Sequence, residues 1–341
     1  MRPFDYRTAQ GAPEAVSLAL DPVCTAGASG ADWPAVYLAG GTTLLDLMKL
    51  DVLRPRRLVD INALAAASSA GRIDVTGEGL RLGALVRMSE AAEHSQIKIG
   101  YPVLSQSLLS AASPQLRNMA SLGGNLLQRT RCPYFRDTRY AECNKRNPGS
   151  GCAALDGFNR QHAILGTSGH CIAAYAGDFA QALLVLDARI EVLGQNGTRT
   201  MPAAELHKLP EATPHVETSL APGELVTAIL VPASPFARRS LYLKIRDRDS
   251  YQFALASAAV VIGTENGLVM HVRIALGGVA AVPWRARAAE EVLMGRALDE
   301  VSAREAAEAA FAQACLRAHN SFKSALGKQT LIRALLETAR L

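Results

Sequence analysis

The chain is 341 residues long, room for about two domains of roughly 150 residues each, with cores that need neither disulfide nor metal. Hydrophobic residues at 49% and charged residues at 20% exclude extended disorder. The 36 Lys and Arg against 31 Asp and Glu leave +5, too mild for nucleic acid or an anionic membrane as main partner, and aromatics at 5% are too sparse for base stacking.

Met1 to Arg7 mixes charges of both signs without an apolar run, so no signal peptide is expected and the chain reads as cytoplasmic by its own sequence. Short strands and helices then alternate. Residues 36–39 read as a strand, 44–50 as a helix and 57–61 as a second strand, apolar positions alternating with polar ones. Two further strands flank the turn at Gly77-Glu78-Gly79, and helices are expected at 88–93 and 103–112. Residues 128–170 break the rhythm. They are rich in Arg, Asn, Gly, Pro and Cys and keep no period, and a loop of that length in a compact domain has a function and needs tying down.

Asp178 followed by Gln181 reads as a capping box before a helix at 182–186. Pro210, Pro214 and Pro222 mark a boundary that divides the chain into 1–222 and 223–341. Strand patterns follow at 225–231, 241–247, 255–262 and 269–276, then helical ones at 283–294, 302–315 and 319–339. Strands followed by helices predict a small α+β C-terminal domain. The most apolar run, 253–262, is about half the length a membrane-spanning helix needs.

Two glycine loops carry the first chemistry. Leu38-Ala39-Gly40-Gly41-Thr42-Thr43 lies between a strand and a helix, where paired glycines turn the backbone sharply and aim successive N–H groups at an anion. A pyrophosphate suits that geometry, and so does an ordinary glycine turn with a Thr cap. Around Gly123-Gly124, the side chains of Asn118, Ser121 and Asn125 offer hydrogen bonds to a polar ligand. Gly149-Ser150-Gly151-Cys152-Ala153-Ala154 imitates a dinucleotide fingerprint, but it follows Asn147-Pro148 instead of a buried strand and is rejected.

Cys132, Cys143, Cys152 and Cys171 crowd into the irregular stretch, while Cys24 and Cys315 stand apart. Four thiolates hold a tetrahedral zinc or an iron–sulfur cluster, and the spacing lacks the Cys-x2-Cys knuckles of zinc ribbons. Unrelated buried thiols are the plain alternative. Arg129, Arg131, Arg136, Arg139, Lys145 and Arg146 could offset cluster charge. His162 and His170 are alternative ligands, though lone histidines in a polar loop read first as structural. Lys244-Ile245-Arg246-Asp247-Arg248-Asp249 reads as a solvated strand edge and Asp178 as a helix cap.

Residues 39–49 and Ser121-Leu122-Gly123-Gly124-Asn125-Leu126 resemble the two flavin-binding motifs of the FAD subunits of the xanthine dehydrogenase family. Val59-Asp60-Ile61-Asn62, Leu82-Gly83-Ala84 and Leu276-Gly277-Gly278-Val279-Ala280 follow in the family's order. The four cysteines match the insertion of the FAD subunit of bacterial three-subunit molybdenum aldehyde oxidoreductases, which carries a [4Fe–4S] cluster. A related insertion occurs in 4-hydroxybenzoyl-CoA reductase, the near alternative.

The resemblance implies an α+β chain: a vanillyl-alcohol-oxidase-type FAD domain with a [4Fe–4S] insertion at about 128–171, then a CO-dehydrogenase-flavoprotein-like domain. It implies that Ala39, Gly40, Gly41, Thr42, Thr43 and Leu44 surround the FAD pyrophosphate and that Asn118, Ser121, Gly123, Gly124 and Asn125 hold its other side. Asp178 would contact the ribityl or adenosine part, Lys244 would approach the isoalloxazine, and Cys132, Cys143, Cys152 and Cys171 would ligate the cluster. No residue of this chain would be catalytic. The molybdopterin cofactor would sit on a large partner subunit that oxidises an aldehyde to a carboxylic acid. Two [2Fe–2S] clusters on a small subunit would relay electrons to FAD and on to an external acceptor. Periplasmic location would require a partner with a twin-arginine signal. Two readings of other classes stand beside this one: a zinc-stapled interaction protein whose loops bind nothing, and a free-standing flavin oxidase.

Overall fold

The computed structural model describes residues 1–21 and 34–341; Cys24 lies outside the described residues. Strands β1 (Asp5–Thr8), β2 (Ala35–Leu38) and β3 (Arg57–Asp60) form a parallel sheet in the order β1-β3-β2. Parallel strands need crossovers, and helices Ala12–Leu20 and Leu44–Lys49 lie in them. Ala15, Val16 and Ala19 make the buried stripe of the first helix, and Ala15 and Val16 pack with Val59 and Ile61.

The second sheet is antiparallel: β4 (Ile73–Thr76), β5 (Gly79–Gly83), β6 (Arg189–Gly194), β7 (Gly197–Pro202) and β8 (Leu225–Pro232), in the order β4-β5-β8-β6-β7. The place of β8 corrects the boundary expected at 222. This strand fills the gap between β5 and β6, so by its pairing it belongs to the first unit, and the chain leaves that unit between Pro232 and Ser240.

The third sheet is also antiparallel: β9 (Ser240–Ile245), β10 (Ala256–Glu265), β11 (Leu268–Gly277) and β12 (Trp284–Arg285), ordered β12-β11-β10-β9. It explains the apolar run around 253–262. Ala259 and Val261 of β10 enter the core built on the second sheet, while Ala258, Val260 and Ile262 enter the core of the C-terminal unit. A strand buried on both faces has no polar side to alternate with. Helices Arg287–Leu293, Glu300–Phe311 and Phe322–Ala339 complete the C-terminal unit. The first starts later than its pattern suggests because Trp284 and Arg285 pair with β11. The second opens two residues early, where Asp299 and Ser302 form a reciprocal capping box. No helix among the described residues is long and apolar enough to cross a membrane.

Residues 128–170 are irregular apart from helix Pro133–Arg136 and two isolated bridges, Cys143 with Cys152 and Leu165 with Ala280. Polar ties replace the missing ladder. Arg129 and Lys145 converge on Glu217 at 2.9 and 2.7 Å. The Arg146 guanidinium donates to the carbonyls of Tyr134, Phe135, Asp137 and Tyr140. At its far end the stretch is sewn to the C-terminal unit. The Ile164 N–H reaches Val279 O at 2.8 Å, Cys315 N–H reaches Ile164 O at 2.7 Å, and Arg160 grips Asp247 through two bonds of 2.8 Å.

Candidate functional site

The turn after β2 and the loop opening helix Leu122–Leu126 meet. A Cβ on Gly40 would lie 2.0 Å from Met119 O, so only glycine lets the two backbones touch there. Gly41 has φ +70°, in the left-handed region. Arg87 and Asn62 lock the meeting: Arg87 donates to Met119 O and to Asn62 Oδ1, and Asn62 Nδ2 donates to Ala39 O at 3.1 Å. Sequence reading had Asn62 only as part of a motif and missed Arg87 altogether.

The loops differ in what they leave free. Gly123 N–H is bonded to Ala84 O at 2.8 Å and Gly124 N–H to the buried Ser121 hydroxyl at 3.2 Å, so both amides are occupied within the chain. By contrast, none of the described residues accepts from the N–H of Gly41, Thr42 or Thr43, and Thr43 does not cap its own helix. On the other loop Asn125 Oδ1 is buried without a partner, while Asn118 is exposed. Free amides on one loop and an orphaned acceptor on the other fit a ligand with phosphates and hydrogen-bond donors, as FAD has.

Asp178 and Lys244 come together, though not as expected. The carboxylate does not cap its helix, Phe179–Val185. It accepts from Tyr242 Oη at 2.6 Å and Lys244 Nζ at 2.7 Å, and Nζ also donates to Ser110 O at 2.9 Å. Burial lifts the Asp178 pKa above its ordinary value despite Lys244 and Tyr242. The Lys244 side chain is 3% exposed, which corrects the solvated-edge reading, and its polar contacts are internal. The pair therefore holds β9 against helix Pro102–Ser110. Gln181, expected to complete a capping box, instead has both amide atoms buried without partners beside Gly277.

The four cysteines of the insertion share one neighbourhood. Cys143 and Cys152 face each other across their bridge, the Cys171 thiol bonds the Cys152 sulfur, and Cys132 feels the charges of Cys143 and Cys152. That hydrogen bond pulls the Cys152 thiol down and pushes Cys171 up, and burial drives Cys132 up to about 12. All four are free thiols. His162 is buried with Nε2 at 3.1 Å from Cys132 Sγ, whereas His170 is exposed. The basic residues expected around the thiols mostly answer carboxylates: Arg131 and Arg136 both bind Asp46, Arg139 binds Asp137, and Arg129 and Lys145 bind Glu217. Asp46 lies on the helix behind the first glycine loop, so these bonds couple that loop to the cysteine insertion. Its position inside the quoted motif was the available signal.

A family model described as the FAD binding domain in molybdopterin dehydrogenase matches residues 18–234, and the CO dehydrogenase flavoprotein C-terminal domain matches residues 241–338. Over 305 residues the chain is 48% identical to the aldehyde oxidoreductase FAD-binding subunit PaoB of Escherichia coli, covering 89% of this chain and 91% of that one. It is 27% identical over 337 residues to the carbon monoxide dehydrogenase medium chain of Hydrogenophaga pseudoflava, covering 97% and 96%. A solved carbon monoxide dehydrogenase from Hydrogenophaga pseudoflava, lacking the Mo-pyranopterin moiety of its cofactor, matches with TM-score 0.74 at 26% identity, over 100% of this chain and 99% of its own.

Proposed function

The chain belongs to the family of FAD-binding subunits of molybdopterin dehydrogenases, and from that membership we propose that it is the FAD and [4Fe–4S] electron-transfer subunit of a heterotrimeric molybdenum aldehyde oxidoreductase. Its partners would be a large subunit with the molybdopterin cofactor and the aldehyde site, and a small subunit with [2Fe–2S] clusters. The observation that carries the flavin part is the meeting of the two glycine loops at Gly40, with free amides on one side and the Asn125 acceptor on the other. The aldehyde part rests on the 48% identical relative.

When bound, FAD supplies a carrier of one or two electrons, and a four-iron cluster supplies a carrier of one. This chain's own residues bind and orient. The amides of Gly41, Thr42 and Thr43 would hold the cofactor's phosphates, and Asn125 Oδ1 would accept from one of its donors. The buried Asp178–Lys244 pair keeps the C-terminal unit fixed against the first. No side chain here has to move a proton at an aldehyde.

Cys132, Cys143, Cys152 and Cys171 would hold the cluster. Among the described residues no three His, Cys, Asp or Glu side chains gather closely enough for a single metal ion. A tetrahedral zinc needs each thiolate at about 2.3 Å from one centre, whereas a four-iron cluster spreads its ligands over four metals. What supports the cluster is the shared neighbourhood of the four thiols.

The test is iron, acid-labile sulfide, zinc and extractable flavin per chain on anaerobically purified protein. About four irons, about four sulfides and one FAD are expected for a four-cysteine site. FAD without iron would remove the cluster from the reading, and one zinc without flavin would overturn it entirely.

A further inference from the structure

We propose that His162 is a positioning residue for the cluster, donating its Nε2–H to the Cys132 sulfur and thereby raising the potential at which the cluster takes up an electron. The inference rests on the cluster reading above, and it assigns His162 as a hydrogen-bond donor, not a ligand.

The geometry decides which nitrogen faces the sulfur with a proton. Nε2 lies 3.1 Å from Cys132 Sγ, hydrogen-bond distance for a sulfur acceptor. Nδ1 is buried with no partner among the described residues. A neutral imidazole carries one N–H. At Nδ1 that proton would be a buried donor without an acceptor; at Nε2 it meets the sulfur. A charged ring carries a proton on both nitrogens, so Nε2 donates in either state. The opposite tautomer would set a nitrogen lone pair against a thiolate, which repels.

The ring is held from several sides. His162 N–H donates to Asn159 O at 3.0 Å, and Asn159 in turn bonds Ala154 O and the His319 N–H. The next residue, Ala163, donates to Ile172 O at 2.9 Å, fixing the ring's strand of chain beside Cys171. The Tyr134 ring lies tilted against the imidazole, with centroids 6.0 Å apart. A donor fixed in this way is prepared before the cluster forms. A hydrogen bond to a ligating sulfur withdraws electron density from it and stabilises the more negative, reduced state, so the potential rises.

The test uses the assembled complex, purified anaerobically and reduced with dithionite in the presence of mediators. Pulsed EPR on protein labelled with 15N-histidine should show a weak nitrogen coupling that disappears in His162→Gln. The titrated potential should fall in His162→Leu and stay near wild type in His162→Gln, whose amide N–H reaches the same place. A strong coupling, typical of iron-bound nitrogen, would overturn the assignment, as would no histidine coupling at all or an unchanged potential in an iron-replete His162→Leu. If the leucine variant fails to retain iron, the wild-type spectrum decides alone. Wild-type protein without iron would sink the cluster reading and this inference together, whereas an iron-replete protein with a silent His162 would sink only the inference.

Discussion

Glu217 answers two cations of the cysteine insertion at once, and its ionisation should be visible in stability. Burial alone would raise its pKa, but Arg129 and Lys145 outweigh burial and hold it at about 2, against an ordinary value of 4.5. A carboxylate depressed by folding stabilises above its unfolded pKa and loses that contribution as the pH falls through its folded one. Between pH 4.5 and 3, about 1.5 units of linkage, or roughly 2 kcal/mol, should disappear. Glu217→Gln should lack this loss and be less stable at pH 7, because Arg129 and Lys145 lose the carboxylate charge they share. Urea unfolding of both proteins across that window checks it, and equal pH slopes would refute the role. The sequence hid this residue. Glu217 sits in a Pro-rich stretch read only as a boundary, and its partner Arg129 is 88 residues away. Asp178 misled for a similar reason: its position before a helix suggests a cap, while the donors that claim it, Tyr242 and Lys244, come from a strand of another sheet. The glycines were legible because a turn is a local property, and the cysteines because their crowding is.

At the scale of elements, the two long C-terminal helices meet through a glycine whose identity packing decides. Gly327 lies inside helix Phe322–Ala339, where alanine would be favoured by about 1 kcal/mol on propensity. A Cβ there would stand 2.3 Å from Phe311 Cζ, and Phe311 is 4% exposed, so its ring has nowhere to go. Overpacking a filled interface costs about 1–3 kcal/mol, which exceeds the propensity gain. Gly327→Ala should therefore destabilise, and the same change in a Phe311→Leu background should cost less or stabilise. A double-mutant cycle by chemical denaturation measures the coupling; additive effects would show that the ring does not control the site. Both helices and the strand buried on two faces were legible from apolar pattern. The membership of β8 was not, because pattern reports that a segment is a strand and not which sheet it completes.

For the molecule as a whole, the cysteine insertion acts as a pin. It binds Asp46 behind the first glycine loop through Arg131 and Arg136, Glu217 through Arg129 and Lys145, and the C-terminal unit through Ile164, Asn159 and Arg160. Between these anchors it has almost no regular structure, and the Arg146 bonds to four carbonyls are joined, on the proposed reading, by a cluster on the thiols at its centre. The glycine loops have an independent lock in Gly40, Arg87 and Asn62. On the proposed reading, FAD and the cluster should therefore separate when one cysteine ligand is removed. Cys143→Ser is expected to lose iron and expose 128–170 to protease, while the chain keeps a substantial part of its FAD. Iron and flavin per chain, with mapping of the first cleavage sites, measure all three effects. Full iron would remove Cys143 from the ligand set. Complete loss of flavin would mean that the Asp46 contacts, and not the lock at Gly40, hold the first loop in its binding shape, and the insertion would then control the flavin site as well as the cluster.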